Sequence, residues 1–91
     1  MPRRPITTVQ TTSDFEKAFR RLPANLQALA EKKDQWFRAN AFDPRLHTHQ
    51  LKGALDGFCS YSVNYQYRVL FRFLSGDAVI YYDVGTHAIY R

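Results

Sequence analysis

Proton transfer near neutral pH and the holding of an anion are the two chemistries for which this chain carries suitable side chains. Its histidines are His47, His49 and His87, and an imidazole, with an unperturbed pKa of about 6.5, can serve as base or acid close to working pH. Among the cations of the second half, Arg68 and Arg72 alternate with Tyr67, Val69, Phe71 and Phe73, so in a strand both guanidinia share one face. If that face is free of helices they form a phosphate-binding strip; if it is plain solvent surface they serve solubility. Tyr90, Tyr81 and Phe58 could stack on unpaired bases. Core packing is the commoner fate of a large aromatic such as Phe58, whereas Tyr90, second from the end, is the better candidate for a base. His47 and His49, alternate residues of an extended segment, could instead share a metal with His87, but no carboxylate or thiolate is placed to complete such a set.

The elements that must position these residues follow from hydrophobic period. Residues 6–10 are rich in β-branched types and predict an opening strand. Ser13 and Glu16 have capping-box spacing, and Phe15, Ala18, Phe19 and Leu22 form one helical face that stops before Pro23. A second helix, with Pro23 in its first turn, carries Leu26, Leu29, Ala30, Lys33 and Phe37 to Asn40, with Trp36 flanking the stripe. Residues 42–44 break the pattern, and 45–57 read as a partly ordered connection anchored by Leu46, Leu51 and Leu55. From Phe58 the period becomes two: Cys59, Tyr61, Val63 and Tyr65, then Tyr67, Val69, Phe71 and Phe73, then Ala78, Ile80, Tyr82 and Val84. Ser75-Gly76-Asp77 is a hairpin turn, and 64–66 a second one. The expected fold is α+β, β-α-α-β-β-β, a two-helix hairpin packed on one face of a four-stranded, mainly antiparallel sheet.

Ninety-one residues, 45% of them hydrophobic, suit one core and a single domain over 1–91. The lone Cys59 offers no internal disulfide and no zinc-ligand spacing is present, which fits a reducing cytoplasm. The charged N-terminus is not followed by an apolar run, so neither a signal peptide nor a membrane span is expected. Thirteen Lys and Arg against eight Asp and Glu give a net charge of +5, biasing the surface toward polyanions. Residues 1–42 hold eight of the positive and four of the negative side chains. A site in the second half must therefore rely on placed cations rather than bulk charge.

The order of elements, with the strings His49-Gln50-Leu51-Lys52-Gly53, Gly57-Phe58-Cys59-Ser60-Tyr61-Ser62-Val63, Tyr67-Arg68-Val69-Leu70-Phe71 and Val84-Gly85-Thr86-His87-Ala88-Ile89-Tyr90, resembles the RelE/ParE toxins over nearly the whole chain. In that resemblance His49 stands where YafQ-like members have a catalytic His and YoeB-like members a Glu. Arg68 matches the arginine of the second meander strand, and His87 the terminal catalytic His of YafQ-like members. Ser60, Ser62 and Gln66 stand where YafQ-like toxins place an Asp, a His and an Asp; of the several cations that surround the phosphate in RelE-like toxins, Lys52 and Arg68 have counterparts. The resemblance implies a cytoplasmic toxin without cofactor or metal, held by a cognate antitoxin through an acidic, partly disordered segment, and cutting mRNA, free or on the ribosome. His49 would be the base, Arg68 and Lys52 would hold the phosphate, and His87 would be the acid or a second cation, with Arg72 and Tyr90 binding substrate. It leaves two other readings open: a ParE-type toxin that inhibits DNA gyrase without catalytic residues, and an inactive binding relative.

Overall fold

The computed structural model describes residues 3–90; residues 1, 2 and 91, at the ends of the span read as one domain, lie outside them. Chain order is β1 (Thr8–Thr11), α1 (Ser13–Arg21), α2 (Ala24–Ala39), β2 (His49–Gln50), β3 (Cys59–Ser62), β4 (Arg68–Phe73) and β5 (Ala78–Gly85), with 3-10 turns at Pro44–Leu46, Gly53–Leu55 and His87–Tyr90. The strands make one sheet in the order β1-β5-β4-β3-β2. β1 runs parallel to β5 and the other pairs are antiparallel. This is the expected α+β arrangement with five strands rather than four. The extra strand, β2, lies in the segment read as a connection; two residues are too few to show a period of two. Among the described residues no helix is long and apolar enough to cross a membrane.

Local chemistry explains where the helices begin. The N-cap of α1 is Thr12, not the expected Ser13: the Phe15 N–H donates to Thr12 Oγ1 at 3.0 Å, and that hydroxyl donates to the Tyr82 carbonyl at 2.9 Å. One side chain thus caps the helix and ties it to the sheet, while Glu16 accepts from the Thr11 hydroxyl at 2.7 Å instead of closing a box. Leu22 is extended and buried, and Pro23 is the N-cap of α2 rather than part of its first turn.

α2 delivers Phe37 to the centre of the core, where it is 0% exposed. Its ring stacks on Tyr61 at 4.6 Å and meets Phe71 edge-on at 4.9 Å. Two phenols are buried with it, and burying a hydroxyl is costly unless it finds a partner. Tyr61 donates to Tyr81 Oη at 3.0 Å, Tyr81 donates to Asp34 Oδ1 at 2.7 Å, and Arg38 Nε donates to Asp34 Oδ2 at 2.9 Å. Burial pushes the pKa of both phenols up, so they remain neutral donors.

On β3 and β4 the alternation is as expected, with Cys59, Tyr61, Val63, Val69 and Phe71 buried beneath the helices. Tyr65 leaves the β3 face: the strand ends at Ser62, and Asn64 Oδ1 accepts from the N–H groups of Gln66 and Tyr67 to close a turn that leaves Tyr65 92% exposed. β5 departs from simple alternation. Leu70 opposes Asp83 but Phe71 opposes Tyr81, so Tyr82 is the extra residue of a bulge. Val79, Tyr81 and Val84 are the buried set, and Ile80 and Tyr82, expected to share a face with Val84, fall on the helix-free side.

The 3-10 turn Pro44–Leu46 is capped by Asp43, whose carboxylate accepts from the Arg45 N–H at 2.9 Å and from the Arg45 guanidinium at 2.8 and 3.1 Å. The guanidinium and then the backbone N–H hold its pKa down to about 2.

Two outcomes follow from these contacts. Tyr81→Phe leaves the Tyr61 hydroxyl without its acceptor and Asp34 Oδ1 without its donor, and should lower unfolding free energy in urea by about 1–3 kcal/mol. Because the Asp43 pKa is depressed in the folded chain, its contribution is present above the ordinary carboxylate range and lost as pH falls from there toward about 2. The stability difference between wild type and Asp43→Asn should be flat from neutral pH to mildly acidic pH and vanish below, as read by urea unfolding at successive pH values.

Candidate active site

The helix-free face of the sheet is where the candidate residues gather. Opposed residues of an antiparallel pair point the same way, so the register His49↔Ser60, Ser60↔Leu70, Ser62↔Arg68 and Leu70↔Asp83 places His49, Ser60, Ser62, Arg68, Leu70 and Asp83 on one face. Leu70 is only 6% exposed although it lies outside the main core cluster. The 3-10 turn His87–Tyr90 turns back over this side of the sheet: Tyr90 Oη donates to Ser60 Oγ at 3.0 Å, reaching from beyond β5 across β4 to β3. The turn lies close to the strand end, since a Cβ on Gly85 would sit 2.8 Å from Ile89 Cγ2.

Each expected residue has a definite place. Arg68 is half-buried, and its guanidinium donates to the Ser62 hydroxyl, which restrains a side chain that would otherwise sample many rotamers. His87 is exposed and its ring lies 5.6 Å from that of Tyr90; beside it a hollow of about 320 Å³ is lined by Tyr65, Gln66, Thr86 and His87. His49 is exposed on β2, with Nδ1 2.9 Å from the His47 carbonyl. A carbonyl can only accept, so Nδ1 carries the proton, and neutral His49 keeps its lone pair on Nε2.

Arg72 shares the face with Arg68 as expected, but four residues along a strand separate their Cα atoms by about 13 Å. The two guanidinia also have different partners, that of Arg68 being the Ser62 hydroxyl. Arg72 instead lies over the Phe58 ring at 5.3 Å, and Phe58 meets Tyr82 edge-on at 5.0 Å. Lys52 is exposed at the start of the turn Gly53–Leu55.

Three expectations are corrected. Phe58 is not a core residue: it is half-buried and packed by Tyr82 and Arg72 on the helix-free side. Tyr81 cannot stack on a base, because the bulge turns it inward to 3% exposure. His47 and His49 do not alternate along an extended segment, since His47 has a left-handed backbone with φ of 52°. Ser60 and Ser62, which stood out in the sequence only as departures from the YafQ-like pattern, hold Tyr90 and Arg68 through their hydroxyls, and the Asp83 carboxylate, not singled out there, lies across from Leu70. Their signal was parity: both serines alternate with Cys59 and Tyr61.

Solved structures share this architecture. A YoeB/ParE toxin from Agrobacterium tumefaciens superposes with a TM-score of 0.74 over 89% of this chain and 99% of its own, at 16% identity. A chain of the toxin–antitoxin complex RelBE2 from Mycobacterium tuberculosis gives 0.73 over 92% and 94%, at 22% identity. The fold is that of the RelE/ParE toxins. YafQ from Escherichia coli superposes at 0.67 over 90% of this chain and 94% of its own, with 15% identity. No protein-family model matches the sequence, and no curated protein matches it either.

The Ser60–Tyr90 bond generates a direct test of how this face is built. In a double-mutant cycle of Ser60→Ala and Tyr90→Phe, urea unfolding should show a coupling of about 0.5–1.5 kcal/mol. Additive single losses would mean that the terminal turn is not held to β3.

Proposed function

We propose that the chain is the toxin of a type II toxin–antitoxin pair and a metal-independent endoribonuclease acting on mRNA in the cytoplasm. The observation that carries the reading is the order of elements across the sheet: His49 on β2 and Arg68 on β4 share the helix-free face, and His87 follows β5. In-line displacement at phosphorus needs a base on the side of the attacking oxygen and an acid on the side of the leaving one. The strand that carries Arg68 lies between the elements that carry His49 and His87, which suits such a division of roles.

In the proposed reaction His49 Nε2 takes the proton of a ribose 2′-OH, whose oxygen attacks the adjacent phosphorus. The Arg68 guanidinium stabilises the charge that grows on the non-bridging oxygens. His87 in its protonated form gives its proton to the departing 5′ oxygen, so the P–O5′ bond breaks as the P–O2′ bond forms. The products are a 2′,3′-cyclic phosphate and a 5′-hydroxyl, and the two histidines exchange protonation states. Tyr90 stacks on a base beside the scissile bond, and Lys52 and Arg72 hold flanking phosphates. His49 and Arg68 have Cα atoms about 12 Å apart by strand spacing, a gap for their side chains and the scissile phosphate to fill.

An antitoxin is the second partner in this reading. The RelBE2 relative was solved as a toxin–antitoxin complex, and a chain of net charge +5 suits a partner with an acidic segment that folds on binding.

Induced expression in a bacterial host tests the ribonuclease. Wild type should arrest growth and produce new transcript 5′ ends, whereas His87→Ala and Arg68→Ala should each reduce cleavage by about 10²-fold or more. Arrest that survives both substitutions, with intact transcripts and DNA damage, would overturn the reading in favour of a gyrase inhibitor.

A further inference from the structure

On α2, away from the helix-free face, Trp36 collects three cations. The Arg45 guanidinium carbon lies 3.7 Å from its ring centroid, Lys33 Nζ 3.9 Å and Lys32 Nζ 5.4 Å. The face of an indole attracts cations through its quadrupole but does not neutralise them. Among the described residues the ion pairs are Arg38 with Asp34 and Arg45 with Asp43; Lys32 and Lys33 join neither. Three positive groups are therefore held around one ring with one carboxylate beside them. Burial first, and then the neighbouring charges of Lys32 and Arg45, pull the Lys33 pKa down, while Asp43 opposes them.

We propose that Lys32, Lys33 and Arg45, gathered on Trp36, form a second RNA contact, one that binds the phosphate backbone of folded RNA rather than its bases. The choice of RNA over an acidic peptide rests on the ribonuclease reading. Two details fit a backbone contact. With Arg45 and Lys33 both within 4 Å of the ring centroid, the indole is occupied and is not a platform for a base. Arg45 gives its Nε and Nη2 to Asp43, which fixes the guanidinium plane and leaves Nη1 to donate to a phosphate oxygen. The site also has a short covalent link to the chemistry, because the turn that carries Arg45 runs directly into β2 and His49. An RNA whose unpaired strand lay on the helix-free face could rest a paired flank here.

The probe is a short blunt RNA duplex, which offers backbone and no unpaired base, titrated by fluorescence anisotropy at several salt concentrations. The triple variant Lys32→Ala/Lys33→Ala/Arg45→Ala should weaken binding at least about tenfold and reduce the slope of log affinity against log salt by about 2 to 3, one unit per lost phosphate contact. Trp36→Leu keeps every charge and, with an unchanged thermal transition, should still weaken binding because the cations are no longer gathered. The two readings fail separately: growth arrest by wild type without new transcript ends, together with duplex binding that the triple variant loses, removes the ribonuclease and leaves this site. An unchanged slope in the triple variant overturns the proposal. So does wild-type binding to poly-glutamate as tight as to the duplex and lost in the same variant, which would assign the surface to an acidic protein segment.

Discussion

The buried relay from Tyr61 through Tyr81 to Asp34 is the constraint on which the rest of the structure depends. Three elements, β3, β5 and α2, can pack together only if two hydroxyls reach partners inside an apolar layer, and this fixes how α2 lies over the sheet. Phe37 then stacks on the Tyr61 ring that the relay has oriented. The same geometry explains the bulge: Tyr81 must point inward toward Asp34 while Val84 also points inward, and an even alternation along β5 cannot provide both, because the two residues are three apart.

The extra residue has consequences on the opposite face. Tyr82 and Asp83 both fall on the helix-free side, where Tyr82 braces Phe58, and the Tyr82 carbonyl is free to accept from Thr12. A packing demand in the core thus shapes the surface on which the proposed chemistry would take place. The terminal turn adds cover from above, with Tyr90 anchored on a serine that is itself buried. Substrate would meet a face in which Arg68 and Tyr90 are already restrained by hydroxyl partners, so less conformational freedom remains to be lost on binding.

Much of this was legible in the sequence. Two helices, a three-strand meander and the shared face of Arg68 and Arg72 follow from periodicity, because long runs with one side buried must repeat with the period of their element. The strand β2 was not, since two residues carry no period. The inward turn of Tyr81 was missed because a bulge is set by what a residue must reach across space, here Asp34, 47 residues away. Thr12 outcompeted Ser13 as cap for a similar reason: its hydroxyl has a carbonyl on β5 within reach. For the candidate site, residue types at His49, Arg68 and His87 were readable, but the supporting roles of Ser60 and Ser62 depend on where Tyr90 and Arg68 come to rest.

The pairing of β1 with β5 also bears on when the protein can exist. Thr7 and Asp77, joined at the end of that pair, are 70 residues apart in the chain, and β1 has no other strand beside it. β1 must therefore wait until β5 (Ala78–Gly85) has been made for its partner, and such a distant closure slows folding. Tyr90, which reaches back to Ser60, is made later still, after β5. A nascent chain that has not yet reached Tyr90 therefore lacks the contact to Ser60 that covers this face.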